Sequence, residues 1–267
     1  MKEVATAVIL AAGSGYRISA IAKDRSKPLL PIDGQDGSIT FLDWHLRCLS
    51  DVGVRRICIV GNTATYGWQS ALPNAPRAEW ILNPTPDLAT SGSAHSASFA
   101  WNRALGILDG RSRVLLMDAD IVYDPAALKR LIAAQGEDSK TLVCRNYRDT
   151  GEEVLVFGAN GRPRRHGKGL LGTPMVTGLE CLGEATGILL WEPRDHEALR
   201  AATEWCLSYS TARTRTEHED VTQHMMSMAR MQAVSLDREM YMEVDTPEEY
   251  ATLVNVFYPE LSARLQR

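Results

Sequence analysis

Short apolar runs alternate with longer amphipathic stretches through the first half of this 267-residue chain. A short apolar run indicates a buried strand, and apolar residues spaced three or four apart indicate one face of a helix. The expected strands are Val4–Leu10, Arg56–Val60 and Arg113–Met117, and the expected helices are Thr40–Val52, Ser93–Leu105 and Pro125–Ala134. Strands separated by helices predict βαβ units, and hence an α/β fold with a doubly wound, mostly parallel sheet.

The pattern changes in the second half, where β-like segments separated by turn residues follow one another. They are expected at Lys140–Arg145, Glu153–Phe157, Val176–Leu182 and Thr186–Trp191. They predict an antiparallel β part inserted into the sheet, before helices at His196–Leu207 and His218–Met231, a strand at Ala233–Leu236 and a last helix from Pro247. Because no repeat or low-complexity linker interrupts the chain, we expect a single domain over residues 1–267, with halves 1–135 and 136–267.

Composition narrows the class of protein. A hydrophobic share of 45% and a charged share of 23% are ordinary for a water-soluble globular protein. The formal charge of −4 and the absence of a long basic tract argue against a nucleic-acid partner. The apolar run Val4–Ala12 is too short to span a bilayer and does not resemble a signal peptide. The five cysteines are scattered without a C-x-x-C pair, so we expect reduced thiols in a cytoplasmic protein.

A glycine-rich loop, Ala11-Ala12-Gly13-Ser14-Gly15-Tyr16-Arg17, follows the first expected strand. Ligands of open α/β sheets bind at such carboxyl-end loops, and glycines let backbone N–H groups approach phosphate oxygens. The spacing excludes a dinucleotide fingerprint, because Ile18 stands where its third glycine would be, and Gly-Lys-Ser/Thr of a P-loop is absent. A dehydrogenase is therefore disfavoured.

Two cations frame the segment after this loop, since Lys27-Pro28 comes ten positions after Arg17. Together they could stabilise negative charge on a leaving pyrophosphate. The plainer alternative is a glycine-rich turn followed by an exposed loop with solvated charges.

Carboxylates end the third expected strand and precede the last helix. Asp118 and Asp120 follow Met117, and Glu243 and Asp245 would point to one side of an extended segment. Such carboxylates can hold a hard cation such as Mg²⁺. Each segment, taken singly, is better explained by turn and helix-cap chemistry, and only the two together favour metal binding.

These motifs, in this order, resemble the nucleotidyltransferases that act on sugar phosphates and phosphocholine. Their hallmark is A-A-G-x-G-x-R after the opening strand, followed about ten residues later by a K-P pair. The resemblance covers nearly the whole chain and implies catalytic roles for Arg17 and Lys27 and Mg²⁺ ligation by Asp120 and Asp245. The implied nucleotide-binding residues are Leu10, Ala11, Ala12, Gly13, Ser14, Gly15, Ser91, Gly92, Ser93 and Asp118. Small hydroxyl residues at 91–93 are also what a helix start requires.

The resemblance further implies an acceptor site in the second half of the chain. Lys168 would reach the acceptor phosphate, Glu184 lies in an element similar to the family's G-E-x-x-G-I, and Glu219 and Asp220 would favour a cationic head group. A solvated hairpin explains Lys168 equally simply, and a helix N-terminus explains Glu219-Asp220. Aromatic contacts to a cation, or core packing, are the two interpretations of Trp68, Trp80, Trp101 and Trp205.

The expected function is a Mg²⁺-dependent cytidylyltransferase that moves CMP from CTP to an acceptor of the phosphocholine or 2-aminoethylphosphonate type and releases pyrophosphate. One alternative is a sugar-1-phosphate nucleotidyltransferase that uses UTP or dTTP. The other is a noncatalytic nucleotide-binding regulator on the same fold. The expected partners are the nucleotide and the small phosphorylated or phosphonylated acceptor, without nucleic acid or membrane, and a homodimer is left open.

Overall fold

The structure is a computed structural model that describes residues 3–22, 25–34, 37–66, 77–86, 91–147, 150–209, 215–228 and 230–266. Its strands are β1 (Val4–Ala11), β2 (Arg56–Gly61), β3 (Ala78–Leu82), β4 (Arg113–Asp118), β5 (Ile121–Tyr123), β6 (Ser139–Cys144), β7 (Leu155–Ala159), β8 (Arg162–Gly167), β9 (Glu180–Trp191), β10 (Met231–Ser235) and β11 (Tyr241–Glu243). Its helices are α1 (Ser19–Ala22), α2 (Phe41–Asp51), α3 (Thr63–Tyr66), α4 (Ser93–Ala100), α5 (Pro125–Ala133), α6 (His196–Tyr209), α7 (His218–Met228), α8 (Pro247–Thr252) and α9 (Tyr258–Leu265).

The predicted mostly parallel central sheet is confirmed. Its strand order is β10-β6-β9-β4-β1-β2-β3, and β1 pairs in parallel with both β2 and β4. β9 runs antiparallel to β4 and β6 and also pairs with β7, which forms a hairpin with β8. The hairpin turns at Asn160 and Gly161, whose φ angles of 52° and 70° suit a tight turn. The expected antiparallel part is therefore this hairpin and its pairing with β9.

Helices cover both faces of the sheet. Alternate residues of β1 enter different cores: Ala7 and Ile9 pack with α2, α5, α8 and α9, whereas Val8 and Leu10 pack with α4, α6 and α7. A strand buried on both faces is apolar throughout, which explains the continuous hydrophobic run at the start of the chain. None of the helices in the described ranges is long and apolar enough to cross a membrane.

Several boundaries differ from the sequence-based expectation. The helix predicted to Met231 is too long, because α7 ends at Met228 and Met231 begins β10. The predicted helix to Leu105 is wrong, because α4 ends at Ala100 and the side chain of Asn102 accepts a hydrogen bond from the Ala104 N–H in a following 3₁₀ turn. The two segments expected at Val176–Leu182 and Thr186–Trp191 share one strand, β9. The strand continues through Gly183 and Gly187, with φ angles of 138° and 69°, near which its pairing with β7 and with β6 shifts register.

Candidate active site

A cleft of about 970 Å³ opens at the carboxyl ends of β1 and β4, where open α/β sheets bind ligands. All the site residues expected from the sequence line it: Leu10, Ala11, Ala12, Gly13, Ser14, Gly15, Arg17, Lys27, Ser91, Gly92, Ser93, Asp118, Asp120, Lys168, Glu184, Glu219, Asp220 and Asp245. The fold thus brings both halves of the sequence to one place. The roles of these residues depend on their individual contacts.

The two glycines of the first loop differ in what they allow. Gly15 has a φ of +60°, and a Cβ there would lie 3.0 Å from Cβ of Lys27, so both the backbone and the neighbour favour glycine. A Cβ at Gly13 would have no atom of the described residues within 4 Å. None of these residues therefore requires glycine at position 13, and its small size leaves room in the cleft for a ligand.

Side chains from the β2–α3 connection and from α3 fix the backbone of this loop. Asn62 donates from Nδ2 to the carbonyl oxygens of Ala12 and Gly13 at 3.2 and 3.3 Å. Thr65 donates from Oγ1 to the carbonyl of Ala11 at 3.0 Å. Because these hydrogen bonds hold the carbonyls of residues 11–13, the backbone of the loop is fixed without a ligand. Asn62 and Thr65 were not predicted as site residues, since their role depends on where α3 packs.

Lys27 lies at the centre of an ion-pair network. Its Nζ is 2.7 Å from Asp120 Oδ2 and 2.7 Å from Asp245 Oδ1, and Arg17 Nη2 is 2.7 Å from Asp245 Oδ2. The Lys27 side chain is only 7% exposed. Burial alone would lower the pKa of Lys27, but the charges of Asp120 and Asp245 outweigh it and hold this pKa above its ordinary value. Lys27 is therefore positively charged at neutral pH.

A short strand pair brings Asp120 and Asp245 together from distant parts of the chain. β5 and β11 run antiparallel with Ile121 opposite Glu243, and the N–H of Val244 donates to the carbonyl of Asp120 at 3.1 Å. This pairing also adds a third carboxylate that was not assigned to the metal: oxygens of Asp120, Glu243 and Asp245 lie within 4.8 Å of one another.

Such a set of oxygen donors suits a hard divalent cation such as Mg²⁺. In this structure the Lys27 ammonium contacts two of these carboxylates, those of Asp120 and Asp245. Glu243 is exposed in the cleft, yet desolvation by the surrounding protein and then the neighbouring charges of Asp120 and Asp245 raise its pKa well above the usual range. A cation bound among these groups would favour their ionised forms.

Helix capping, the plainer explanation of the acidic segments, applies to their neighbours. Asp124 caps α5 by accepting from the N–H of Ala126 at 2.9 Å. Thr246 and Glu249 form a capping box at the start of α8. The side chains of Asp120 and Asp245 instead face Lys27. Capping therefore accounts for the neighbours Asp124, Thr246 and Glu249, whereas the side chains of Asp120 and Asp245 do not cap a helix.

The loop before α4 is locked to the segment that begins α7. Ser93 donates from its backbone N–H and from Oγ to Glu217 Oε2 at 2.7 and 2.8 Å, and the N–H of His218 donates to Ser93 Oγ at 2.7 Å. A Cβ at Gly92 would lie 2.2 Å from the carbonyl oxygen of Thr216. Ser91 Oγ accepts from Asn83 Nδ2 at 2.9 Å. The hydroxyls of Ser91 and Ser93 are thus already engaged within the protein.

Asp118 forms a partly buried ion pair with His218. Nε2 of His218 lies 2.9 Å from Oδ2 and 3.2 Å from Oδ1 of Asp118. Burial opposes the charged imidazolium, but the charge of Asp118 outweighs it and raises the pKa of His218 to about 10. Gly187 makes room for this pair, since a Cβ there would lie 2.2 Å from Asp118 Oδ2. His218 was not predicted as a partner of Asp118.

On the acceptor side, the predicted residues have different surroundings. Lys168 is exposed, with Nζ 3.6 Å from Glu152 Oε2. Burial and then the charges of Glu153 and Glu249 raise the pKa of Glu184 to about 7. Glu219 and Asp220 have different contacts. Asp220 accepts a hydrogen bond from the N–H of Glu217 at 2.9 Å, as a residue at a helix start does. Glu219 Oε2 lies 3.8 Å from His218 Nδ1.

The tryptophans considered as partners for a cation lie elsewhere. Trp101 is buried in the core beside α4, Trp80 lies on β3, and Trp205 stacks on His224 at the surface with ring centroids 4.4 Å apart. Trp68 lies outside the described residues. Among the described residues that line the cleft there is no tryptophan.

Comparisons with known proteins agree with this architecture. The chain is 30% identical over 158 residues to the CMP-5'-(3-aminopropyl)phosphonate synthase of Streptomyces rubellomurinus, a match that covers 58% of the chain and 23% of the relative. The chain thus spans less than a quarter of that relative's length.

Two solved structures share the fold. The inositol-1-phosphate CTP transferase from T. maritima superposes with a TM-score of 0.75 at 17% identity, over 100% of this chain and 98% of that one. The CTP:phosphocholine cytidylyltransferase LicC from Streptococcus pneumoniae superposes with a TM-score of 0.69 at 14% identity, over 96% and 100%. The model of the MobA-like NTP transferase domain matches residues 7–182, which is more than half of the sequence. The chain therefore belongs to the family of the MobA-like NTP transferase domain.

Proposed function

We propose that this chain is a Mg²⁺-dependent cytidylyltransferase that joins the CMP part of CTP to a small phosphorylated or phosphonylated amino-alcohol and releases pyrophosphate. The observation that carries the proposal is the convergence of Asp120 and Asp245 on Lys27, at 2.7 Å each, in the cleft that the Gly13–Arg17 loop also lines. The choice of CTP is supported by the named activities of the aminopropylphosphonate synthase and of both structural neighbours.

The nucleotide would bind to the first half of the chain, residues 1–135. Backbone N–H groups of the Gly13–Gly15 loop would donate to phosphate oxygens, and the vacant space beside Gly13 would let them approach closely. Arg17 and Lys27 would offset the negative charge that develops as pyrophosphate leaves. Both cations are positioned in advance by Asp245, which reduces the cost of ordering them around the triphosphate.

Asp120 and Asp245, with Glu243 as a third donor, would hold the Mg²⁺. When bound, Mg²⁺ neutralises charge on the phosphorus oxygens, which is the main requirement of nucleotidyl transfer. The carboxylates keep their positions because β5 and β11 pair and because the capping box at Thr246 fixes the backbone directly after Asp245.

The acceptor would bind mainly to the second half, residues 136–267, and its phosphoryl or phosphonyl oxygen would attack the α-phosphorus in line. Lys168, exposed at the rim, would steer the acceptor's anionic group. Glu184, whose pKa is raised to about 7, and Glu219 would favour a cationic head group, because a nearby cation stabilises their ionised forms. No residue needs to form a covalent intermediate in this reaction.

Pyrophosphate release with a panel of substrates tests the proposal. Purified protein with Mg²⁺ is incubated with each of CTP, UTP, ATP and GTP and with phosphocholine, 2-aminoethylphosphonate or glucose 1-phosphate. We expect turnover with CTP and the amino-alcohol acceptors. Turnover with glucose 1-phosphate alone would refute the acceptor class, and nucleotide binding without turnover on any acceptor would favour a noncatalytic regulator.

A pair of aspartate variants separates catalysis from stability in this panel. Asp120→Asn should abolish turnover without unfolding the protein, whereas Asp237→Asn, at an exposed position, should retain it. Equal activity of the two variants would contradict the proposed role of Asp120.

A further inference from the structure

His166 is a buried histidine at the acceptor side of the cleft. It lies on β8, lines the cleft and is 7% exposed. Burial, and then the charge of His218, lower the pKa of His166 to about 3, so its ring is neutral and offers one N–H donor and one nitrogen acceptor. The main chain of Glu219 lies nearby, yet neither ring nitrogen makes a hydrogen bond of good geometry to any described residue.

Three more polar atoms in this cleft share that condition. His218 Nδ1, Glu219 Oε2 and the Tyr241 hydroxyl are buried and make no hydrogen bond within the described part of the chain, although the first two face each other at 3.8 Å. His218 uses only its other nitrogen, Nε2, for Asp118. Buried polar groups in folded proteins are nearly always hydrogen-bonded, to protein, ligand or water. This group of atoms therefore suits a ligand that both donates and accepts hydrogen bonds.

The backbone around His166 is held rigidly. The N–H of His166 donates to Gln223 Oε1 of α7 at 2.8 Å, and His166 is paired with Val156 in the β7–β8 hairpin. The ring therefore sits on a strand that is fixed on two sides, so its unsatisfied atoms are positioned in advance for a partner.

Charge and aromatic content narrow the ligand's chemistry. Glu184 and Glu219 favour a cation, and an ammonium with N–H bonds could donate to a carboxylate oxygen and to a neutral histidine nitrogen. A quaternary ammonium has no N–H bond and is typically recognised by aromatic faces, such as those of tryptophan. Among the described residues, no tryptophan lines this cleft, and its aromatic side chains besides histidine are those of Tyr16, Tyr147 and Tyr241. Tyr16 is 68% exposed and the Tyr147 hydroxyl lies 3.1 Å from Cys181 Sγ, whereas the buried Tyr241 hydroxyl offers the ligand a further hydrogen bond.

We propose that His166 determines acceptor specificity by hydrogen-bonding the head group, and that the site selects a primary ammonium over a trimethylammonium group. This inference rests on the proposed function. It divides the acceptor class of that proposal in two: amines of the aminoalkylphosphonate or phosphoethanolamine kind are substrates, and phosphocholine is a poor one.

A matched pair of acceptors tests the inference on the unaltered protein. With CTP and Mg²⁺, kcat/KM is compared for 2-aminoethylphosphonate and its N,N,N-trimethyl analogue, which differ only in the N–H bonds and methyl groups. Sites built to hydrogen-bond a substrate reject analogues that lack the group strongly, so we expect a preference for the primary amine of about 100-fold or more. Equal use of the two, or preference for the trimethyl compound, would overturn the proposal.

Variants of His166 show whether this residue is responsible. His166→Leu should lower kcat/KM for the primary amine about 10-fold or more and change the trimethyl analogue little, because a hydrogen bond to a charged group is lost. His166→Asn, which keeps one donor and one acceptor, should retain part of the preference. His224→Leu on α7, whose ring stacks on Trp205 outside the cleft, is the control and should keep it fully. A folded His166→Leu with an unchanged preference would refute the role of His166.

A binding measurement separates this inference from the proposed function. The ligand-induced shift of the unfolding midpoint is compared for 2-aminoethylphosphonate and the trimethyl analogue, without nucleotide. If pyrophosphate is never released but the primary amine still stabilises wild type selectively, and His166→Leu loses that effect, the cytidylyltransferase proposal fails and the specificity inference stands. If neither compound stabilises wild type, or both do so equally, the unsatisfied atoms bind water only and the inference is refuted.

Discussion

Replacing Lys27 by methionine perturbs the charge balance on which the candidate site depends. The substitution removes the ammonium but keeps an unbranched side chain, so Asp120 and Asp245 lose a cation that lies 2.7 Å from each. Removing one partner of a buried ion pair costs about 3–5 kcal/mol. Because the two carboxylates are 28% and 23% exposed, solvent screens part of this, and we expect a loss of about 2–3 kcal/mol. For a chain of this size that lowers the unfolding midpoint by about 5–10 °C.

Thermal unfolding in EDTA and in Mg²⁺ measures the effect. In the variant the carboxylates carry no internal counter-ion, so Mg²⁺ should raise the midpoint of Lys27→Met more than that of wild type. Lys140→Met is the matched control, because Lys140 is a buried lysine like Lys27 but lies at the amino end of β6, with Nζ 3.6 Å from Glu192 Oε1. It should lose stability that Mg²⁺ does not restore. The reasoning would be refuted if Lys27→Met were as stable as wild type in EDTA. It would also be refuted if Mg²⁺ raised the unfolding midpoints of Lys27→Met and wild type equally.

Three further substitutions have defined outcomes. Gly187→Ala adds a Cβ 2.2 Å from Asp118 Oδ2 at a φ of +69°, so the free energy of unfolding in urea should fall by well above 1 kcal/mol and pyrophosphate release should decrease. The control Gly106→Ala, at a φ of +61° with no described atom within 4 Å of the added Cβ, should lose only the free energy of backbone strain. Equal losses of stability in the two variants would contradict this. The Asp118 pair raises the pKa of His218 to about 10 from an unfolded value near 6.5, so the stability difference between wild type and His218→Asn should be fully present below pH 6.5 and disappear as pH rises through 10. Urea titrations at several pH values check this, and a difference that grows with pH would contradict it. Gly13→Ala should leave the unfolding midpoint unchanged, because the added Cβ has no described atom within 4 Å. It should weaken CTP binding, measured by calorimetry, by about 10-fold. Unchanged binding would argue against phosphate contact at this loop.

The sequence was most informative where the chemistry is local. The Gly13–Arg17 loop follows a strand that is apolar on both faces, and Lys27-Pro28 lies close behind it, so both could be placed at the carboxyl edge of the sheet. The partnership of Asp120 with Asp245 needed more, because it depends on β5 and β11, strands of three residues each that no apolar pattern reveals. The family resemblance supplied that connection, and it did not include Glu243 among the metal ligands.

Other features could not be predicted because they arise from packing between distant segments. Ser93 meets Glu217 and Asp118 meets His218 across separations of 124 and 100 residues. His166 is one of several polar residues on β8, and its burial depends on how α7 packs against the hairpin. β3 was missed because its residues are mostly half-buried and show no clean alternation. In each case the sequence contains the residues but not the contact.

The most direct test of the central claim, that Asp120 and Asp245 share one divalent ion, is a double-mutant cycle on pyrophosphate release as a function of Mg²⁺ concentration. Wild type, Asp120→Asn, Asp245→Asn and the double variant are compared with CTP and 2-aminoethylphosphonate. Residues that act as a unit are non-additive, so we expect each single variant to lose activity by about 1,000-fold and the double variant to lose scarcely more. Losses that multiply in the double variant, or a single variant with wild-type activity and wild-type Mg²⁺ dependence, would contradict a shared ion.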